Sequence, residues 1–162
     1  MSDQLYETLK DTATKHIQAF ESPHPFDADQ IYSFRENCTM RFHPLNSMPA
    51  PFGENLPITR NEHDGALRLL ADFLSKVKMD IQLMAVDVLQ RTVTSWLQAH
   101  YDFKDTGGEP GEKDYMIEYV WITRHNEVGD KIVSMEEFLD VPRALHMIGK
   151  SQTYAEEHAK GD

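Results

Sequence analysis

Cysteine is nearly missing from this chain. Cys38 is the only one in 162 residues, which excludes an intrachain disulfide and a multi-cysteine zinc or iron–sulfur site. Cations are scarce beside anions: 16 Lys and Arg stand against 27 Asp and Glu, a formal net charge of −11. A surface that follows nucleic-acid phosphates or docks on anionic lipid needs clustered cations, so neither partner is expected. No run approaches the roughly 20 apolar residues of a membrane span, and the N-terminal MSDQLYETLKDTATKH has no apolar signal core. The reading is a soluble, cytoplasmic protein. The eight His never occur as His-x-His or His-x-x-x-His, so no metal site is expected. A Gly-x-Ser-x-Gly elbow is absent, and Cys38 has no protease signature around it. Gly107-Gly-Glu-Pro-Gly111 lacks the Lys-Ser/Thr of a phosphate loop.

What is present suits one globular domain, residues 1–162, with its core over about 3–148 and a polar, frayed C-terminal tail from Ser151. Leu5, Leu9, Ala13, Ile17 and Phe20 recur at helical steps, predicting a helix over 3–20. A short helix over 27–34 and a strand over 37–43, stopped by Pro44, follow. The Pro-rich stretch from Leu45 to Pro57 reads as a loop able to lid a pocket. Thr59 or Asn61 caps a long helix running to about Val77. From Met79 the period falls to two, predicting strands over 79–89, 92–103, 115–124 and 131–140, then a short helix from Ala144. Helices first and antiparallel strands after is an α+β pattern. A curved, mainly antiparallel sheet wrapped around the long helix forms a cone with its mouth at the helix starts.

Carboxylates within strands carry the chemistry. Glu118 lies in Tyr115-Met-Ile-Glu-Tyr-Val-Trp-Ile-Thr, where an ionised side chain is costly to bury unless paired or facing a pocket. A hairpin with Glu127 opposite Asp130 sets Glu118 against Leu139 and Val120 against Glu137. Glu118 and Glu137 then share one sheet face, roughly 7–8 Å apart, and Glu136 shares the other with Tyr119 and Trp121. Two carboxylates in one dry pocket push a pKa upward, toward acid/base chemistry. Arg41 and His43 alternate on one face of the first strand, where a cation holds a carbonyl oxygen or pairs with a carboxylate. Glu62 and His63 stand at the start of the long helix, where a carboxylate also serves as a cap. Met40, Phe42, Met48, Phe52, Met84 and Leu139 are candidates for an apolar lining. Tyr119, Trp121 and Phe138 suit either a symmetric interface or the pocket face.

Glu118-Tyr-Val-Trp-Ile followed by Glu127-Val-Gly-Asp-Lys-Ile-Val-Ser-Met-Glu-Glu-Phe-Leu-Asp140 resembles the C-terminal hairpin of the SnoaL-like group, within the nuclear transport factor 2-like superfamily. Cys38-Thr-Met-Arg-Phe-His-Pro44 resembles that family's first strand, and Asn61-Glu62 its third helix start. The resemblance spans roughly residues 3–148 and implies a cone-shaped α+β barrel, dimeric through the sheet's outer face and free of cofactors. Among relatives it points to fungal isomerases and cyclases of meroterpenoid pathways. That pattern implies Arg41, Glu62 and Glu118 as the polar, catalytic trio facing the pocket; Met40, His43, His63 and Glu137 are the candidate residues for binding a bulky apolar substrate. Bacterial polyketide cyclases of the group carry a catalytic Asp on the last strand, where this chain has Glu137. The alternatives are a polyketide cyclase or dehydratase of the same fold and a non-catalytic binding or dimerisation module.

Overall fold

A computed structural model describes residues 2–23, 25–49 and 57–159. In chain order it contains α1 (Ser2–Gln18), α2 (Ala28–Ser33), β1 (Arg35–His43), α3 (Arg60–Phe73), β2 (Leu74–Asp87), β3 (Thr92–Phe103), β4 (Tyr115–His125), β5 (Ile132–Leu139) and α4 (Val141–Ala159). The five strands form one curved sheet in the order β1-β5-β4-β3-β2, antiparallel throughout except for the parallel pair β1–β5. This is the expected α+β architecture. No described helix is long and apolar enough to cross a membrane.

Period-two alternation sorts the strands into two faces. Val93, Ser95, Leu97, Ala99, Tyr101 and Phe103 of β3 point inward, as do Ile117, Tyr119, Trp121, Thr123 and His125 of β4. α1 packs on β2 and β3, while α3 packs on β2 and α4. Each fully buried Leu, Ile or Phe contributes roughly 1.5–3 kcal/mol, so the row on β3 and β4 fixes which face is core. Thr59 starts α3 with a capping box: its hydroxyl accepts from the Glu62 N–H, and the Glu62 carboxylate accepts from the Thr59 N–H.

Two boundaries differ from the sequence expectation. α3 ends at Phe73 and β2 begins at Leu74, because Leu74 pairs with Phe103 and Val77 with Tyr101 on β3. The Leu70, Phe73, Leu74, Val77 spacing suits a helix equally well, and cross-strand pairing decides it. The second difference is the tail. α4 continues through Ser151 to Ala159, and Ser151 is fully buried. Tyr154 packs its ring 5.7 Å from Phe73, and Glu157 accepts from the Thr106 hydroxyl and the Gly107 N–H at 3.0 and 2.8 Å.

The β4–β5 register also departs from expectation, for a definable reason. Next to the turn His125 pairs with Ile132, in the expected register. A bulge beyond that pair shifts the ladder by one residue, so Trp121 faces Glu137 and Val120 faces Phe138. A one-residue slip moves every later side chain to the other face. Glu137 therefore shares the inner face with Tyr119 and Trp121, and Glu118 turns outward.

Candidate functional site

Inside the cone, α3 and α4 stand off the sheet and leave a cavity of about 460 Å³. Its walls are mostly apolar: Phe20, Phe26, Phe42, Met48, Leu67, Leu70, Met79, Leu139 and Met147 line it. Polar groups enter from three strands and two helices, Ser151 and Gln152 coming from α4. Tyr101 comes from β3, Tyr119 and Trp121 from β4, Glu137 from β5, and Glu62 and His63 from the first turn of α3.

Glu137 is the unusual member. It is only 7% exposed, and among the described residues its carboxyl has neither a hydrogen-bond partner nor an ion pair. Burial pushes its pKa up to about 8, opposed by the nearby Arg35 charge. At neutral pH the group is mainly a neutral carboxylic acid, able to donate a proton. Beside it the Tyr101 and Tyr119 hydroxyls lie 3.0 Å apart. One phenol donates to the other, so one O–H proton of the pair remains for a ligand. Burial raises both phenol pKa values, and the Glu137 charge adds to the rise. The buried Trp121 Nε1 has no partner among the described residues.

His63 is also buried. Its Nδ1 lies 2.8 Å from the Tyr32 hydroxyl and 3.5 Å from Arg35 Nη1. Burial, and then the Arg35 charge, lower its pKa to about 3, so the ring is neutral. Glu62 sits at the exposed rim, and its carboxylate accepts from the Thr59 N–H and hydroxyl, both at 2.8 Å. Those two bonds hold its pKa below the usual carboxylate value. It is a charged cap at the cavity mouth.

The trio of Arg41, Glu62 and Glu118 is not brought together. Glu118 is exposed on the outer face, accepting from Gln98 Nε2 at 3.1 Å. Arg41 pairs in register with Glu136 on that same outer face, Nη1 to Oε1 at 3.6 Å. His43 joins them there, its Nε2 2.6 Å from Glu136 Oε2 and its ring stacked 4.4 Å from Phe138. Alternation on β1 explains this: Met40 and Phe42 take the inner face, which leaves 41 and 43 outside. Met40 is buried but does not reach the cavity, lying 3.9 Å from Arg35 Nη1. Met84 instead packs near α1, 4.0 Å from the Thr14 hydroxyl. Phe52, and residues 50–56 of the expected lid, lie outside the described residues. Three inner groups escaped notice in the sequence: Arg35, His16 and Tyr101. His16 carried a signal, since it falls within the Ala13–Ile17–Phe20 stripe of α1.

Among the described residues no three His, Cys, Asp or Glu side chains cluster as metal ligands do. The wall has the composition of a small-molecule site, apolar with a few convergent polar groups and one strongly shifted carboxyl.

Sequence comparison finds no matching family model and no matching curated protein. Solved structures do match in shape. PrhC from Penicillium brasilianum superposes with a TM-score of 0.73 at 17% identity, over 97% of this chain and 95% of that one. BvnE, a pinacolase from Penicillium brevicompactum, gives 0.71 at 18% identity over 93% and 94%. A protein described as NTF2-like, from Burkholderia pseudomallei, gives 0.62 at 11% identity over 87% and 97%. The fold is the one these structures share, an NTF2-like cone.

Proposed function

We propose that this chain is an isomerase or cyclase that rearranges a bulky, apolar, oxygenated substrate by proton transfer through Glu137, with no cofactor. The observation that carries the reading is a buried, unpartnered carboxyl in the wall of a cavity of about 460 Å³. As a neutral acid Glu137 protonates a carbonyl or epoxide oxygen that stays in the product. The carboxylate left behind takes a proton from the rearranged skeleton, which restores the acid and conserves mass. Tyr101 and Tyr119, with one free O–H between them, donate to the oxygen on which charge develops. The similarly folded BvnE is named a pinacolase. A 1,2-shift of that kind conserves mass when the oxygen that is protonated remains in the product, as with an epoxide opening beside a hydroxyl, and that protonation is the step a neutral carboxylic acid supplies. Terpenoid and meroterpenoid ring systems of fungal secondary metabolism match the cavity's apolar lining and are the substrate class we favour.

The test is incubation of the purified protein with oxidised terpenoid ketones and lactones in D₂O, read by mass spectrometry and NMR. A rearranged product of unchanged mass, apart from deuterium exchanged at carbon, is expected. Loss of water would make the enzyme a dehydratase, and tight binding of an unchanged compound would make it a binding module.

The same reading includes a homodimer through the outer sheet face. Leu83, Trp96, Val120, Phe138 and His43 are successive cross-strand partners there, spanning all five strands. Leu83, Trp96 and Phe138 are exposed. Sedimentation is expected to give a dimer for the wild type and a monomer for Trp96→Glu. A monomeric wild type at micromolar concentration would refute the interface.

A further inference from the structure

Arg35 opens β1 and places its guanidinium behind the cavity wall, not in it. The head group is surrounded by neutral acceptors. Its Nε–H donates to His16 Nε2 at 3.0 Å, and Nη1 lies 3.5 Å from His63 Nδ1. The Met40 and Met135 sulfurs lie 3.9 Å from Nη1 and 3.7 Å from Nη2. The Tyr32 ring lies 5.1 Å from its central carbon. Among the described residues no carboxylate comes within ion-pair distance of it.

A guanidinium can only donate hydrogen bonds. A ring nitrogen that faces it must therefore accept, and the ring proton moves to the other nitrogen. His16 displays the consequence: its Nε2 accepts from Arg35, so the proton is on Nδ1, which is buried without a partner. That orphaned N–H costs stability, and the chain bears it to satisfy the cation.

For His63 the choice of tautomer is open until Arg35 is counted. One arrangement has Nδ1 accepting from the Tyr32 hydroxyl. The other has Nδ1–H donating to Tyr32 Oη, whose own proton passes to the Arg60 carbonyl 3.4 Å away. Both satisfy Tyr32. Only the first avoids setting Nδ1–H against the Arg35 N–H. We propose that Arg35 is a positioning residue that fixes His63 in its Nε2–H tautomer, so that the ring offers the cavity a hydrogen-bond donor for a carbonyl or ether oxygen of the ligand and never a base. The low pKa of His63 agrees with a ring that stays neutral over the working range. The role toward ligand rests on the isomerase reading; the tautomer itself does not.

The experiment is long-range ¹H–¹⁵N NMR of histidine-labelled, ligand-free protein at neutral pH, the His63 signals being identified by their loss in His63→Gln. The wild type and Arg35→Lys are expected to give the Nε2–H pattern, and Arg35→Met to gain the Nδ1–H form as a major species. An unchanged Nε2–H pattern in a folded Arg35→Met protein overturns the proposal. Should Arg35→Met fail to fold, Tyr32→Phe decides. Arg35 is then the only described partner of Nδ1, so retention of Nε2–H supports the proposal and a switch to Nδ1–H overturns it. With a turned-over substrate in hand, Arg35→Met is expected to raise KM by about ten-fold through loss of one hydrogen bond. Because the NMR readout needs no substrate, its failure leaves the role of Glu137 standing, and an inactive compound panel leaves the tautomer standing.

Discussion

Glu137→Gln is expected to abolish turnover, by about 10²- to 10⁴-fold in kcat, while leaving the protein folded. Glutamine has the shape of a neutral carboxylic acid and donates a hydrogen bond, but it cannot give up or take a proton. Since burial already keeps Glu137 mainly protonated at pH 7, the substitution removes no charge that the fold relies on. The loss therefore isolates proton transfer from packing. Glu118→Gln is the control, next to the inner-facing Tyr119 on β4 and on the opposite face. Its side chain is exposed, so the rate should stay within about two-fold, as for most surface substitutions. Circular dichroism checks folding, and single-turnover rates read the chemistry. Equal losses in the two variants would contradict the assignment.

The second large effect is a bell-shaped dependence of stability on pH. Glu137 titrates near 8 when folded and near 4.3 when unfolded. Between those values the folded state holds one proton more than the unfolded state, so stability falls as pH rises, by about 1.4 kcal/mol per unit. The buried histidines act in the opposite sense. His16, His63 and His125 have lowered pKa values, in each case chiefly through burial. Below an unfolded pKa of about 6.5 the unfolded chain takes up protons that the folded rings refuse, so stability falls as pH drops. Three such rings outweigh one carboxyl on the acid side. Maximal stability is expected at about pH 6 to 7, with the alkaline limb belonging to Glu137. Urea denaturation from pH 5 to 9 measures the curve, and Glu137→Gln is expected to flatten its alkaline limb. A wild type with no decline between pH 7 and 8 would contradict this.

Much of the architecture was legible because it rests on local chemistry. The strand alternation of 92–103 and 115–124 survives almost residue for residue, and of the two caps expected for α3, Thr59 or Asn61, Thr59 is the one. The tail was misread because Ser151 and a run of charged residues hide a stripe of Ala144, Met147, Ser151 and Tyr154 at helical spacing. Ala144, Met147 and Ser151 are buried there and line the cavity.

The site was less legible, and one bulge accounts for most of the difference. Turn geometry favours the pairing that holds at His125 and Ile132. Matching buried faces favours the other pairing, since Trp121, Tyr119 and Ile117 share one parity on β4 and Met135 and Leu139 share one with Glu137 on β5. Burial wins over most of the hairpin, and the bulge absorbs the mismatch. Arg41 and His43 went astray by the same logic, because Met40 and Phe42 already claim the inner face. Arg35 gave no local sign. Its environment is assembled from α1, α2, α3 and β5, which no single window of sequence contains.

The central claim is that Glu137 is a neutral acid facing the cavity. Its most direct test is a ¹³C NMR titration of glutamate carboxyls in the wild type, with Glu137→Gln identifying the resonance. One signal, absent from the variant, is expected to titrate near pH 8. A Glu137 signal titrating with the ordinary surface carboxylates, near pH 4.3, would contradict it.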